Sequence, residues 1–324
     1  MAILPISAIS WVFTVKWKKN FRREFFWHTT VWQSIAMNNF ESRILICCIM
    51  NWLKNLLHSF EIIGLMSFWS GMAVLMNNSG IFAQPSNYKP IRLLPNTFFQ
   101  GGEKLTFQLR YGFIVGGKVV LILEDKGNTF HVKGEAVTVG VADELFSVKD
   151  IYESYFEKES NLPVFAIQNV KEGKRYKYYN ETIFDRKNNK VISSRSGPHD
   201  VPPDIMDMMC VFYYIRRMDL SDAKNGDTYK INTFFSDKLF PFEIRYRGKE
   251  IISTRFGKIS CHKFAPIVEP GRVFKSKDDM LIWFTDDANR IPILVSMQMV
   301  VGHVYCELID MQNLMVQPVF MPKD

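Results

Sequence analysis

The densest run of chemistry-bearing side chains in the sequence is Trp283-Phe284-Thr285-Asp286-Asp287-Ala288-Asn289-Arg290. Two adjacent carboxylates with a nearby amide suit a hard cation such as Ca²⁺, and the Arg290 guanidinium suits an anion. The same residue types also dominate tight hairpin turns, because Asp and Asn bond their own backbone and tolerate left-handed geometry. The spacing and later Glu of an EF-hand are missing, so the simpler reading is a turn. Trp283, Asp286, Asp287, Asn289 and Arg290 nevertheless stand as the candidate ligand-binding residues. Cys261-His262 invites a thiolate–imidazole pair, but on a strand neighbouring side chains point to opposite faces. The same parity separates His303 from Cys306. The sequence holds no CxxC, GxSxG, HExxH, P-loop or GxGxxG string. No catalytic residue, metal site or cofactor is therefore assigned. Arg175-Tyr176-Lys177-Tyr178-Tyr179 has the aromatic and cationic interleaving of a stacking surface, and equally that of a strand with tyrosines inward and cations outward.

The elements that must position these residues are strands. In Lys104 to Tyr111 the apolar set Leu105, Phe107, Leu109 and Tyr111 alternates with polar residues, as on a strand with one wet face. Similar runs recur to residue 312. Turn signals stand between them at Gly116-Gly117, Asp125 to Asn128, Glu172-Gly173-Lys174, Lys187-Asn188-Asn189, Arg247-Gly248-Lys249, Asp286 to Asn289 and Gly302-His303. No linker is long enough for repeated parallel crossovers. One helix is expected after Pro202-Pro203, with Asp204 as cap, Asp207 favouring the positive end, and Ile205, Met208, Met209, Phe212 and Ile215 along one apolar face. Roughly a dozen strands cannot stay flat. The expected fold is mainly β, an antiparallel meander forming a curved half-barrel or barrel with one covering helix.

The first quarter of the chain is of another kind. Six of the seven tryptophans precede residue 84 and all twelve tyrosines follow it. Residues 1–83 hold seven Lys/Arg and three acids, so more than half of the net charge of +7 sits there. The remainder carries too little surplus charge for a nucleic-acid stripe, and no nucleic-acid partner is expected. Ile62 to Met76 is uncharged, short for a membrane span and near the length of a signal-peptide core. Residues 50–83 read as a secretory signal, with a retained anchor as the rival. Residues 1–49 read as an upstream extension that is not made in the cell or a disordered leader, with a membrane-surface helix as the alternative. Residues 84–324 read as a single β-rich domain. Of its three cysteines, Cys261 and Cys306 lie in strand-like runs where pairing is open, and an odd count leaves at least one unpaired within the chain.

Several strings carry a family resemblance. Gly102-Glu103-Lys104-Leu105-Thr106-Phe107 with Tyr111-Gly112-Phe113 resembles the opening of the domain-of-unknown-function 3108 family. Asp207 to Arg216, with Tyr213-Tyr214-Ile215-Arg216, resembles its central helix. Tyr246-Arg247-Gly248-Lys249-Glu250 and Trp283 to Pro292 resemble its later strands and hairpin. The likeness spans about residues 98–315; it implies export in Gram-negative bacteria and a β-rich fold, and no established reaction.

These readings lead to an exported cell-envelope protein, periplasmic or outer-membrane-associated, close to the membrane through its leader before cleavage. The expected role is non-catalytic binding of an apolar or amphipathic ligand, a lipid or lipid-linked glycan, inside the curved sheet, an expectation that a side-chain-filled interior would overturn. The alternatives are an envelope hydrolase of glycans or esters using Asp286 or Asp287, and an adaptor marked by an exposed apolar patch.

Overall fold

A computed structural model describes residues 88–268, 274, 276–300 and 302–322. The readings of residues 1–49 and 50–83 lie outside the described residues. Fourteen strands and two helices follow in the order β1 (Lys104–Tyr111), β2 (Ile114–Lys126), β3 (Thr129–Thr138), α1 (Val141–Leu145), β4 (Lys149–Glu157), β5 (Pro163–Glu172), β6 (Tyr176–Asp185), β7 (Lys190–Ser193), β8 (Gly197–Asp200), α2 (Met208–Arg216), β9 (Thr228–Phe235), β10 (Lys238–Thr254), β11 (Gly257–Pro266), β12 (Met280–Thr285), β13 (Pro292–Met299) and β14 (Gly302–Gln312).

All fourteen strands form one antiparallel sheet, β8-β7-β6-β5-β4-β3-β2-β1-β14-β13-β12-β11-β10-β9. Each strand neighbours the next in sequence, and the first pairs with the last along the whole of β1. The one break in this ring of neighbours falls between β8 and β9, so the meander is an open half-barrel rather than a closed barrel. The chain that joins those two edges lies along the break. Met206 N–H donates to Asn232 O at 2.8 Å and Phe234 N–H to Met206 O at 2.8 Å. The β9–β10 turn, with Ser236 and Asp237 at positive φ as a tight hairpin demands, reaches across to β6 and β7. There Asp237 Oδ1 accepts from Asn180 Nδ2 at 3.1 Å, from Ser196 Oγ at 2.8 Å and from Ser193 Oγ.

Helix α2 is buried on more than the one face its periodicity suggests. Cys210, Val211, Tyr213, Ile215 and Arg216 are all enclosed. Asp207, not Asp204, is its N-cap, accepting from the backbone of Met209 at 2.7 Å and Cys210 at 3.0 Å. Asp204 lies one turn earlier and binds Asn232 Nδ2 instead. The helix seats closely on β3 because Gly134 has no side chain: a Cβ there would lie 2.9 Å from Met209 Cε. Val211 and Ile215 pack with Tyr229, Ile244, Phe264, Ile282 and Phe284 of β9 to β12. Cys210 and Tyr213 pack with Leu123, Phe130, Val132 and Phe156, and with Phe98 and Phe99 from the segment that precedes β1. A further cluster of Leu105, Phe107, Cys261, Trp283, Ile291 and Leu308 is joined by Leu314 and Phe320 from the C-terminal tail.

Two glycine signals that read as turns are bulges inside strands. Gly116 sits where the β1–β2 register shifts, and Gly248, at φ 87°, where the β10–β11 register shifts. Residues 238–254 are thus one strand, and the reversal comes at Arg255-Phe256. Gly248 adopts the left-handed backbone that a G1-type bulge and a tight turn share, and Gly116 does not, so glycine alone does not distinguish the two. Strand β8, with Pro198 at an edge position, carries no alternating signal and was not expected. Cys261 and Cys306 are free thiols, on β11 and β14 with two strands between, and Cys210 is free as well.

Candidate functional site

The Asp286–Arg290 segment is the β12–β13 turn, and its polar groups are directed into the protein rather than toward a ligand. Asp287 Oδ1 accepts from Thr285 Oγ1 at 2.7 Å and from the backbone N–H of Asn289 and Arg290, each at 2.9 Å. That network holds Arg290 at φ 47°. Its other oxygen, Oδ2, is buried without a partner among the described residues, in the fields of the Arg216 and Arg290 guanidinium groups. Asn289 is wholly buried and pins the C-terminal tail through Val316, donating to its carbonyl at 2.6 Å and accepting from its N–H at 3.0 Å. Arg290 donates to Arg216 O at 3.3 Å and to Met218 O, closing the C-terminal end of α2, and lies 4.7 Å over the Phe98 ring. Burial pushes its guanidinium below the usual value, against the nearby carboxylates of Asp286 and Asp219.

Asp286 meets a different set. Its Oδ2 faces Lys249 Nζ at 2.7 Å and its Oδ1 faces His262 Nε2 at 2.9 Å, while His262 Nδ1 lies 3.1 Å from the Tyr246 hydroxyl. Burial raises the Asp286 carboxyl, but Lys249, His262 and Ser260 together outweigh it and the net shift is downward. Burial dominates at His262 and pushes the ring down to about 4. A neutral imidazole that donates to Asp286 and accepts from Tyr246 satisfies all three groups. The order tyrosine, histidine, aspartate is that of a proton relay, yet Tyr246 and His262 are each only 4% exposed. The arrangement ties β10, β11 and the hairpin together, with Tyr246 and His262 enclosed and the Asp286–Lys249 end reaching solvent. Trp283 stands apart: its Nε1 donates to Glu250 at 3.2 Å and its ring underlies Lys263. The five sequence candidates therefore form three separate contacts, not one pocket.

Sequence reasoning missed a fully buried ion pair in the interior. Arg216 and Glu103 form a two-pronged ion pair, Nη1 to Oε1 at 2.6 Å and Nη2 to Oε2 at 2.7 Å, at 1% and 0% side-chain exposure. Arg216 also donates to Asn289 O at 3.1 Å and Phe98 O at 2.8 Å and lies over the Phe99 and Tyr213 rings. Burial works against its charge, but the Glu103 carboxylate outweighs that and raises it. Along the helix alone, Arg216 near the C-terminal end simply suits the dipole. Nothing local marks Glu103, 113 residues away, as its partner.

Beside this pair opens a cleft of about 390 Å³, lined by Pro95, Asn96, Phe130, Lys158, Glu159 and Arg217. It lies between the segment preceding β1, the β4–β5 turn and the residue that ends α2. Lys158 is committed to Asp125, both of whose oxygens lie at 2.7 Å, and sits over the Phe130 ring. Arg217 has no carboxylate partner among the described residues. Its Nε donates to Leu94 O at 3.1 Å and its Nη1 to Lys158 O at 3.3 Å, and burial pushes the guanidinium below its usual value. Among the described residues no group of three or more His, Cys, Asp or Glu is placed to hold a metal ion.

The opening of β1, the central helix and the hairpin thus stand in one fold in the order that the family resemblance implies, and the profile described as "Protein of unknown function (DUF3108)" matches residues 106–309. The chain belongs to the DUF3108 family. The DUF3108 match takes in α2, the hairpin, Phe130, Lys158 and Arg217, whereas Pro95, Asn96 and Glu103 precede it and the tail from Asn313 follows it. No curated protein matches. Among solved structures, a β-barrel-like protein of the DUF1849 family from Brucella abortus superposes with a TM-score of 0.47 at 11% identity, covering 69% of this chain and 99% of that one. A putative exported protein with a YmcC-like fold from Bacteroides fragilis gives 0.33 at 11% identity, covering 67% and 99%. A hypothetical protein from Chlamydia trachomatis gives 0.31 at 9% identity, covering 69% and 92%. Likenesses this weak carry no functional inference.

Proposed function

We propose that this DUF3108 protein is a non-catalytic binding protein of the cell envelope that takes an apolar or amphipathic ligand, a lipid or lipid-linked glycan, and that the ligand enters the cleft at the end of α2. The observation that carries this reading is the cleft. At about 390 Å³ it falls within the span of small-molecule sites, and it joins apolar walls at Pro95 and Phe130 to a few polar groups, the usual make-up of such a site. The interior beside it leaves little room for a ligand, because α2 and the large side chains of Arg216, Tyr213, Phe156, Phe264 and Phe284 are almost wholly buried there. The uncharged run Ile62 to Met76, read as a secretory signal core, supports the envelope setting.

Native mass spectrometry of the protein purified from its own envelope tests the reading. The expected result is a discrete added mass, lost on delipidation and regained on incubation with an envelope lipid extract, and blocked by Pro95→Trp, which would fill the cleft. An unliganded spectrum together with no uptake from the extract would remove the proposal.

A further inference from the structure

Arg216 and Arg217 are adjacent, and their surroundings differ in one respect. Arg216 is neutralised by a buried carboxylate, while Arg217, 5% exposed, has only carbonyl oxygens as hydrogen-bond partners among the described residues. A nearly buried guanidinium with no counter-ion is costly unless something anionic completes it. Its two bonded nitrogens are Nε and Nη1, and Arg217 lines the cleft. Nη2, with two N–H donors, makes no bond among the described residues and is the nitrogen available to a cleft occupant. By contrast Arg186, another arginine held by carbonyls alone, uses all three nitrogens, on Pro163 O and Pro203 O. Lys158 adds no spare charge, since Asp125 already neutralises it. The remaining charged group of the cleft is Glu159, exposed at its rim. One uncompensated cation inside and one carboxylate at the mouth favour a single negative charge and oppose two.

We infer that the cleft takes an amphiphilic monoanion, a long-chain carboxylate, with its head on Arg217 Nη2 and its chain against Phe130 and Pro95. This rests on the cleft being the binding site, as proposed above, and adds the charge and type of the head group. A charge-assisted hydrogen bond is among the stronger polar contacts, and the neutral ester of the same chain cannot supply the compensating charge.

The test uses the fluorescent probe cis-parinaric acid and its methyl ester on the purified, delipidated protein. Binding of the acid about tenfold tighter than the ester, the equivalent of one hydrogen-bond-sized difference, is expected. Arg217→Gln should erase that preference by weakening the acid alone, and Arg217→Lys should keep part of it. Dodecanoate should displace the probe better than dodecyl phosphate, and Glu159→Gln should narrow that gap. Acid and ester bound equally well would overturn the inference while leaving a binding cleft. If neither binds, the binding reading itself falls. Should Arg217→Gln fail to fold, the acid-to-ester ratio in the unaltered protein still decides.

Discussion

The β12–β13 hairpin and the cleft at the end of α2 hold similar residue types and put them to opposite uses. In the hairpin, Asp287, Asn289 and Arg290 spend their hydrogen bonds on neighbouring backbone, the tail and the helix end. In the cleft, Arg217 keeps one guanidinium nitrogen outside its bonds to Leu94 and Lys158. Density of polar residues in sequence thus marks a place where the chain needs internal hydrogen bonds. A place with capacity to spare is assembled from segments far apart: Pro95, Phe130, Lys158 and Arg217.

Breaking the buried pair beside the cleft should give the largest effect. Arg216→Met leaves Glu103 as an uncompensated buried charge, and a loss of about 3–5 kcal/mol is expected in urea unfolding. The double variant Glu103→Leu with Arg216→Met should cost less than either single change. Arg217→Gln, one residue along, gives up only bonds to carbonyls and relieves an unpaired charge, so about 1 kcal/mol or less is expected. Equal losses for Arg216→Met and Arg217→Gln would erase the distinction between a saturated and an unsaturated cation.

Within the hairpin, Asp287→Ala removes an acceptor for three donors and should cost about 2 kcal/mol. Asp287→Asn keeps the oxygen that does this and removes a charge whose second oxygen is buried without a partner among the described residues. It should come close to neutral. A large loss in Asp287→Asn would show that the carboxylate charge, through Arg216 and Arg290, matters more than the turn.

What the sequence disclosed follows from the range of each interaction. Period-two alternation is a local consequence of the pleat, and it was enough to read the meander, including Leu105, Phe107 and Leu109 on the inner face of β1. The helix was legible from Met209, Phe212 and Ile215, but its cap was misplaced because Asp204 and Asp207 both precede the apolar run. Only docking against Ser154 on β4, whose hydroxyl donates to Asp207, separates them. The Asp287 turn was readable because its bonds span three residues or fewer. Glu103 with Arg216, and the cleft around Arg217, depend on how β1, α2 and the β4–β5 turn come together, and no local pattern encodes that.

A smaller effect probes the strand that supports the hairpin's histidine contact. Gly248 has φ 87° and open space where a Cβ would go, so Gly248→Ala meets only backbone strain, about 1–2 kcal/mol. The same substitution at Gly134 meets the side-chain ends of Met209 and Leu121, which can turn aside, and should cost less. If Gly134→Ala left probe binding untouched while Gly248→Ala abolished it, the cleft would not be the site.

The finest distinction is in pH dependence, and it contrasts the hairpin with the inner face of β4. His262 has its folded value pushed down to about 4 by burial, against about 6.5 unfolded. As pH falls from about 6.5 to 4 the unfolded chain takes the proton first, so His262 makes the fold less stable toward acid. Asp150, 3% exposed, has its carboxyl pushed up to about 6 by burial, against a single opposing N–H from Lys171. Its unfolded value is about 3.9, so across about pH 6 to 4 the folded chain takes the proton first and Asp150 makes the fold more stable toward acid. The two slopes oppose each other in the unaltered protein. His262→Gln should uncover the Asp150 slope, with stability rising as pH drops from 6 to 4, and Asp150→Asn should uncover the reverse. Unfolding midpoints measured at half-unit steps of pH read both. Parallel curves for the two variants would mean that neither burial acts as described, and that the His262–Asp286 contact opens to solvent in the folded protein.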